Sequence, residues 1–115
     1  MTALRILVVE DDRNSREAFV ELLGGEGHEV DACARADAAL ARLEKATYDV
    51  LLTDLVMPGM TGLDLIAAAR ARQPSLRCFI MTGQPPQQVP GVVWIGKPIA
   101  LDRLLDSLAT LPTES

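Results

Sequence analysis

The stretch Leu4-Arg5-Ile6-Leu7-Val8-Val9-Glu10-Asp11-Asp12 sets the reading of this chain: an apolar run that ends abruptly in three consecutive acids. A short, near-continuous aliphatic run bounded by polar residues is the pattern of a strand buried on both faces. Three further runs end in the same manner: Asp49 to Thr53 delivers Asp54, Cys78 to Met81 delivers Thr82, and Val92 to Ile95 leads to Lys97. If these runs are parallel strands of one sheet, their C-terminal ends lie side by side, and Glu10, Asp11, Asp54, Thr82 and Lys97 converge on one edge.

The intervening segments have helical spacing. Asn14 can cap a first helix with Ala18, Phe19, Leu22 and Leu23 on one face, stopped by Gly24 and Gly25. A weaker strand, Val30 to Ala34, precedes a helix carrying Ala36, Ala39, Leu40, Leu43 and Ala46. Thr61 and Asp64 form a capping box ahead of Leu63, Leu65, Ile66 and Ala69, and Leu101, Leu104, Leu105, Leu108 and Leu111 make a strongly amphipathic last helix. Strands alternating with helices imply right-handed βαβ crossovers and an α/β three-layer sandwich.

Composition narrows the function. The 115 residues suffice for one domain, and a formal charge of -5 with scattered arginines argues against direct nucleic-acid binding. No apolar run approaches the ~20 residues needed to span a bilayer and no signal-peptide pattern opens the chain, so it reads as cytoplasmic with no membrane association. Cys33 and Cys78, far apart and without a histidine cluster, read as reduced strand residues, and His28, the sole histidine, as part of a solvent-facing turn.

Taken singly, the site residues have plainer readings: an acidic triplet can be a solvated helix start, Asp54 a turn residue, Lys97 an exposed lysine. Together they say more. Carboxylates gathered on neighbouring strand ends repel one another unless a cation bridges them, and an all-oxygen set suits Mg²⁺, with Mn²⁺ as the alternative. A carboxylate in that setting can attack phosphorus, while a hydroxyl and an ammonium can bind and neutralise phosphoryl oxygens.

Four segments in order, Val8-Val9-Glu10-Asp11-Asp12, Thr53-Asp54-Leu55-Val56-Met57-Pro58-Gly59-Met60-Thr61-Gly62, Met81-Thr82-Gly83 and Lys97-Pro98, resemble the receiver domain of two-component response regulators, CheY-like proteins, over essentially the whole chain. The resemblance implies a single receiver domain over residues 1–115, whole in itself or excised from a longer regulator or hybrid kinase. It implies a flavodoxin-like five-stranded parallel sheet of order 2-1-3-4-5. It further implies phosphoryl transfer to Asp54 from the phosphohistidine of a sensor histidine kinase or histidine phosphotransfer protein, followed by a conformational switch that controls an output domain or partner. Mg²⁺ would be held by Asp11, Asp54 and the Val56 backbone carbonyl, with Glu10 acting through water; Asp12 receives no metal role. Thr82 and Trp94 would be the switch residues, Lys97 would pair with the phosphoryl group, and the Lys97-Pro98 peptide would be cis.

One interval departs from that pattern. Only 14 residues, Gly83 to Gly96, separate Thr82 from Lys97 and must include the fifth strand. An average helix needs about 11 residues, and an interior proline costs about 3 kcal/mol. With Pro85, Pro86 and Pro90 in the interval, the fourth helix should be shortened or replaced by a loop, leaving apolar surface beside the last two strands to be covered.

Three other functions compete. An aspartyl-phosphate phosphohydrolase would need an acid two residues after the nucleophile, where Val56 stands, so a turnover enzyme is disfavoured relative to a protein that promotes only its own phosphorylation and dephosphorylation. A flavin- or nucleotide-binding domain would need a Gly-rich loop after the first strand, where three acids stand instead. A pure protein interaction module would have no use for the full set Asp11, Asp54, Thr82 and Lys97.

Overall fold

A computed structural model describes residues 3–109. Five strands, β1 (Arg5–Val9), β2 (Glu29–Cys33), β3 (Val50–Asp54), β4 (Arg77–Thr82) and β5 (Val92–Gly96), form one parallel sheet of order β2-β1-β3-β4-β5. Four helices connect and flank them: α1 (Arg13–Gly25), α2 (Ala36–Lys45), α3 (Gly62–Arg72) and α4 (Leu101–Ala109). This is the three-layer sandwich expected from the alternation, with the doubly wound, flavodoxin-like strand order that the resemblance implies.

The two-residue period of a strand sends alternate side chains to opposite layers. Leu7, Val9, Leu51, Cys78 and Ile80 meet Ala39 and Leu43 of α2 and Leu65, Ile66 and Ala69 of α3. Ile6, Val8, Val50, Leu52, Phe79, Met81 and Ile95 meet Phe19 and Leu23 of α1 and Leu104 and Leu108 of α4. Each helix therefore contributes a narrow stripe at i, i+3 or i+4 spacing, and the central strands are buried on both faces because both layers are covered.

Several sequence expectations need correction. The cap of α1 is Asp12, whose carboxylate accepts from the Ser15 N–H at 2.9 Å, not Asn14, so the helix begins one residue before Asn14. Leu22 is exposed, as is Ala18; Phe19 and Leu23, four apart, carry the packing. His28 is half-buried rather than solvent-facing, because its Nδ1 accepts the Leu4 N–H at 3.0 Å. Leu111 lies outside the described residues.

No helix lies between β4 and β5: Gly83 to Gly91 is a crossover without regular structure, as the interval and its prolines require. The expected bare surface is nonetheless largely closed. Cys78 and Ile80 stay buried, and Trp94, paired in register with Ile80 and half-buried, packs against the same cluster. A side chain of indole size thus covers area that a helix would otherwise cover. The apolar residue left exposed on β5 is Val93, at 38%.

Candidate functional site

The site occupies the C-terminal edge of the sheet, where β1, β3, β4 and β5 deliver Glu10, Asp54, Thr82 and Lys97. Strand ladders run directly into it: Glu10 N–H donates to Cys33 O at 3.0 Å, Leu55 N–H to Met81 O at 3.1 Å and Lys97 N–H to Thr82 O at 2.9 Å. Each functional side chain is therefore fixed at its root by the backbone of the sheet.

Glu10 and Asp54 are each 3% exposed, whereas Asp11 is open to solvent. One carboxylate oxygen from each of the three lies within 4.8 Å of the others. Asp54 Oδ1 is buried, and Lys97 Nζ stands 2.6 Å away as its ion-pair partner. The same ammonium is 3.9 Å from Glu10 Oε1. Three converging carboxylates, two of them buried, form an all-oxygen donor set that fits a hard divalent cation better than it fits any soft metal.

The electrostatics follow from crowding. Burial, first, and then the neighbouring Asp54 carboxylate push Glu10 up to about 8, so near neutral pH the metal-free cluster retains a proton there. Burial works against the Lys97 ammonium, but its contact with Asp54 and the charges of Asp54, Glu10 and Asp11 outweigh it and hold Lys97 above its ordinary value. The hydrogen bonds of Asp12 to Ser15 hold its carboxyl below the usual range, which fits a helix cap and not a ligand.

Thr82 is 7% exposed, and its Oγ1 accepts the Gln84 N–H at 3.0 Å. Val56, two residues beyond Asp54, is 68% exposed in the loop ahead of α3. The Lys97-Pro98 peptide is cis. Trp94 faces the α2 and α3 layer; its Nε1 is buried and lacks a hydrogen-bond partner among the described residues.

Sequence reasoning passed over two residues that shape the site. Arg16 donates from Nη1 to the Glu10 carbonyl at 3.0 Å and to the Asp11 carbonyl at 3.4 Å, tying the acidic turn to α1. Gly62, the first residue of α3, packs against the backbone of Asp54: a Cβ there would lie 2.3 Å from Asp54 O and 3.1 Å from Leu55 Cα. Its place directly after the Thr61 cap was the available signal, since only glycine lets the helix start approach a strand end so closely.

The model for the response regulator receiver domain matches residues 6–109. The chain belongs to this family. Among curated relatives, PhoP, a two-component response regulator of Pseudomonas aeruginosa, is 40% identical over 81 residues, covering 70% of this chain and 36% of PhoP. The receiver domain of the hybrid histidine kinase CckA superposes with a TM-score of 0.83 at 32% identity, covering 91% of this chain and 95% of that one. The response regulator TrrA of Thermotoga maritima, solved in complex with Mg²⁺ and BeF, gives a TM-score of 0.84 at 27% identity, with 95% of this receiver and 99% of TrrA covered. The first three curated relatives are longer proteins, of which the chain spans 36%, 17% and 18%. Among the described residues no helix is long and apolar enough to cross a membrane.

Proposed function

We propose that this receiver takes a phosphoryl group onto Asp54 from the phosphohistidine of a sensor histidine kinase or histidine phosphotransfer protein, in a Mg²⁺-dependent reaction, and that the modified state controls an output domain or partner. The observation that carries the reading is the buried Asp54 carboxylate, paired at 2.6 Å with Lys97 Nζ and clustered with the carboxylates of Glu10 and Asp11 at the C-terminal edge of the sheet. In the transfer a carboxylate oxygen of Asp54 forms the new bond to phosphorus, the bond from phosphorus to the imidazole nitrogen breaks, and the imidazole leaves with that electron pair.

Asp11, Asp54 and the Val56 carbonyl would hold the cation, with Glu10 positioned to act through water; Mn²⁺ would serve in place of Mg²⁺. The cation supplies charge neutralisation to phosphoryl oxygens. Lys97 neutralises the anionic group from the opposite side, and the Thr82 hydroxyl hydrogen-bonds one of its oxygens. Val56 offers no acid-base group two residues after Asp54, which favours a switch that is reset slowly over a turnover phosphohydrolase. That TrrA was solved in complex with Mg²⁺ and BeF supports a Mg²⁺-dependent site in this receiver.

Intact-mass measurement after incubation with acetyl phosphate and Mg²⁺ tests this. Wild type should gain one phosphoryl group, and neither the Asp54→Ala protein nor wild type in excess chelator should gain any. Equal labelling of Asp54→Ala would refute the assignment.

A further inference from the structure

The crossover that stands where a helix was expected is anchored at both ends. At its start the Gln84 N–H is bonded to the Thr82 hydroxyl at 3.0 Å. At its end Arg70, reaching from α3, donates from Nη1 to Pro90 O at 3.2 Å and from Nη2 to Gly91 O at 2.6 Å, and the Val92 N–H closes a turn onto Val89 O at 3.2 Å. Gly91 has φ +75°, and a Cβ there would sit 2.6 Å from Arg70 Nη2. Glycine is thus what allows the backbone to meet the guanidinium. Between the anchors, Pro85, Pro86 and Pro90 fix φ, so the segment behaves as a short, stiff strut rather than a slack loop.

We propose that Arg70 is a positioning residue for the switch: through this strut it holds Thr82 in its resting place, so that phosphorylation of Asp54 works against the Arg70 clamp. The inference rests on the proposed role of Thr82 as a hydrogen-bond partner of the phosphoryl group. For the Thr82 hydroxyl to turn toward Asp54, Gln84 must follow or let go. A stiff segment pinned at Gly91 resists the first course, and the resting state is favoured by whatever the pin contributes. Removing a contact made better in the resting state shifts the population toward the other and raises affinity for ligands of that other state.

The test is titration of beryllium fluoride, a phosphoryl analogue, at saturating Mg²⁺, read by the fluorescence of Trp94, the sole tryptophan. Arg70→Met, which keeps the apolar stem and removes the donors, should bind the analogue about five-fold more tightly than wild type, about 1 kcal/mol. Exchange of the Gln84 amide, which is bonded to the Thr82 hydroxyl, should be faster in the free variant. Arg70→Lys, retaining one donor centre, should fall between the two. If Arg70→Met does not fold, Arg70→Gln, which keeps a polar side chain but removes the guanidinium, should show the same tightening. Unchanged or weakened binding by a folded variant, with wild type responding normally, overturns the clamp and leaves the phosphoacceptor reading standing. Absence of any wild-type response, together with no acetyl phosphate labelling of Asp54, overturns that reading and this inference with it.

Discussion

Glu10 should make the metal-free protein lose stability as pH rises, opposite to the usual behaviour of a carboxylate. Its carboxyl is raised from 4.5 to about 8 by burial and by Asp54, so between those values the folded state binds more protons than the unfolded chain. Stability then falls with pH, because its slope follows the protons bound by the unfolded state minus those bound by the folded state. The contribution is fully present below about pH 4.5 and is lost as pH passes about 8. The slope cannot exceed about 1.4 kcal/mol per pH unit for one group. Integrated from 4.5 to about 8, a value in which the attraction of Lys97 is already counted, the total loss is on the order of 5 kcal/mol. Urea unfolding in chelator from pH 5 to 8.5 measures it, with Glu10→Gln as the reference that removes the contribution of every other group. The wild-type curve should descend relative to the variant by that amount, and Mg²⁺ affinity should rise over the same range as the proton is lost. Parallel curves, or a wild-type protein gaining stability relative to Glu10→Gln, would refute the electrostatic reading of the cluster.

Two further expectations follow from the backbone around the site. Gly62→Ala should destabilise the fold by about 2–3 kcal/mol through overpacking against the Asp54 carbonyl, and calorimetry together with Mg²⁺ titration should show a lowered Tm and weakened cation binding in the same protein. Asp12→Ala should lose about 1 kcal/mol with the α1 cap, a drop in Tm of roughly 3–6 °C for a domain of this size, while Asp12→Asn stays near wild type and both retain acetyl phosphate labelling of Asp54.

Legibility in the sequence tracked how local each determinant is. The strands were readable because a run such as Ile6 to Val9 has nowhere to lie except between two covered faces, and the missing helix was readable because 14 residues with three prolines cannot hold both a helix and β5. The convergence of Glu10, Asp11, Asp54 and Lys97 followed from parallel topology alone. The start of α1 was misplaced because Asp12 and Asn14 are equally good caps by type, and only the path of the chain after Glu10 selects between them. The packing of α1 was overestimated at Leu22 for a related reason: apolar character marks a candidate for burial, but the angle at which the helix crosses the sheet decides which residues touch it. His28 and Arg70 act through bonds spanning 24 and about 20 residues, and no local pattern announces such contacts.

The crossover shows how one deletion reshapes several layers of the fold at once. A receiver without a helix between β4 and β5 must keep Cys78 and Ile80 dry, hold the chain end that feeds β5, and leave the Thr82 hydroxyl correctly placed. Trp94 answers the first need by volume, since an indole buries more area than any other side chain in that register position. Arg70 answers the second, donating to the Pro90 and Gly91 carbonyls directly ahead of β5. The third then depends on the second, because Gln84 and Gly91 are the two ends of one proline-stiffened segment. In a receiver whose fourth helix is intact, that helix would separate the hydroxyl from the far end of the crossover; here the distance is bridged by a strut short enough that a change at α3 is felt at Thr82.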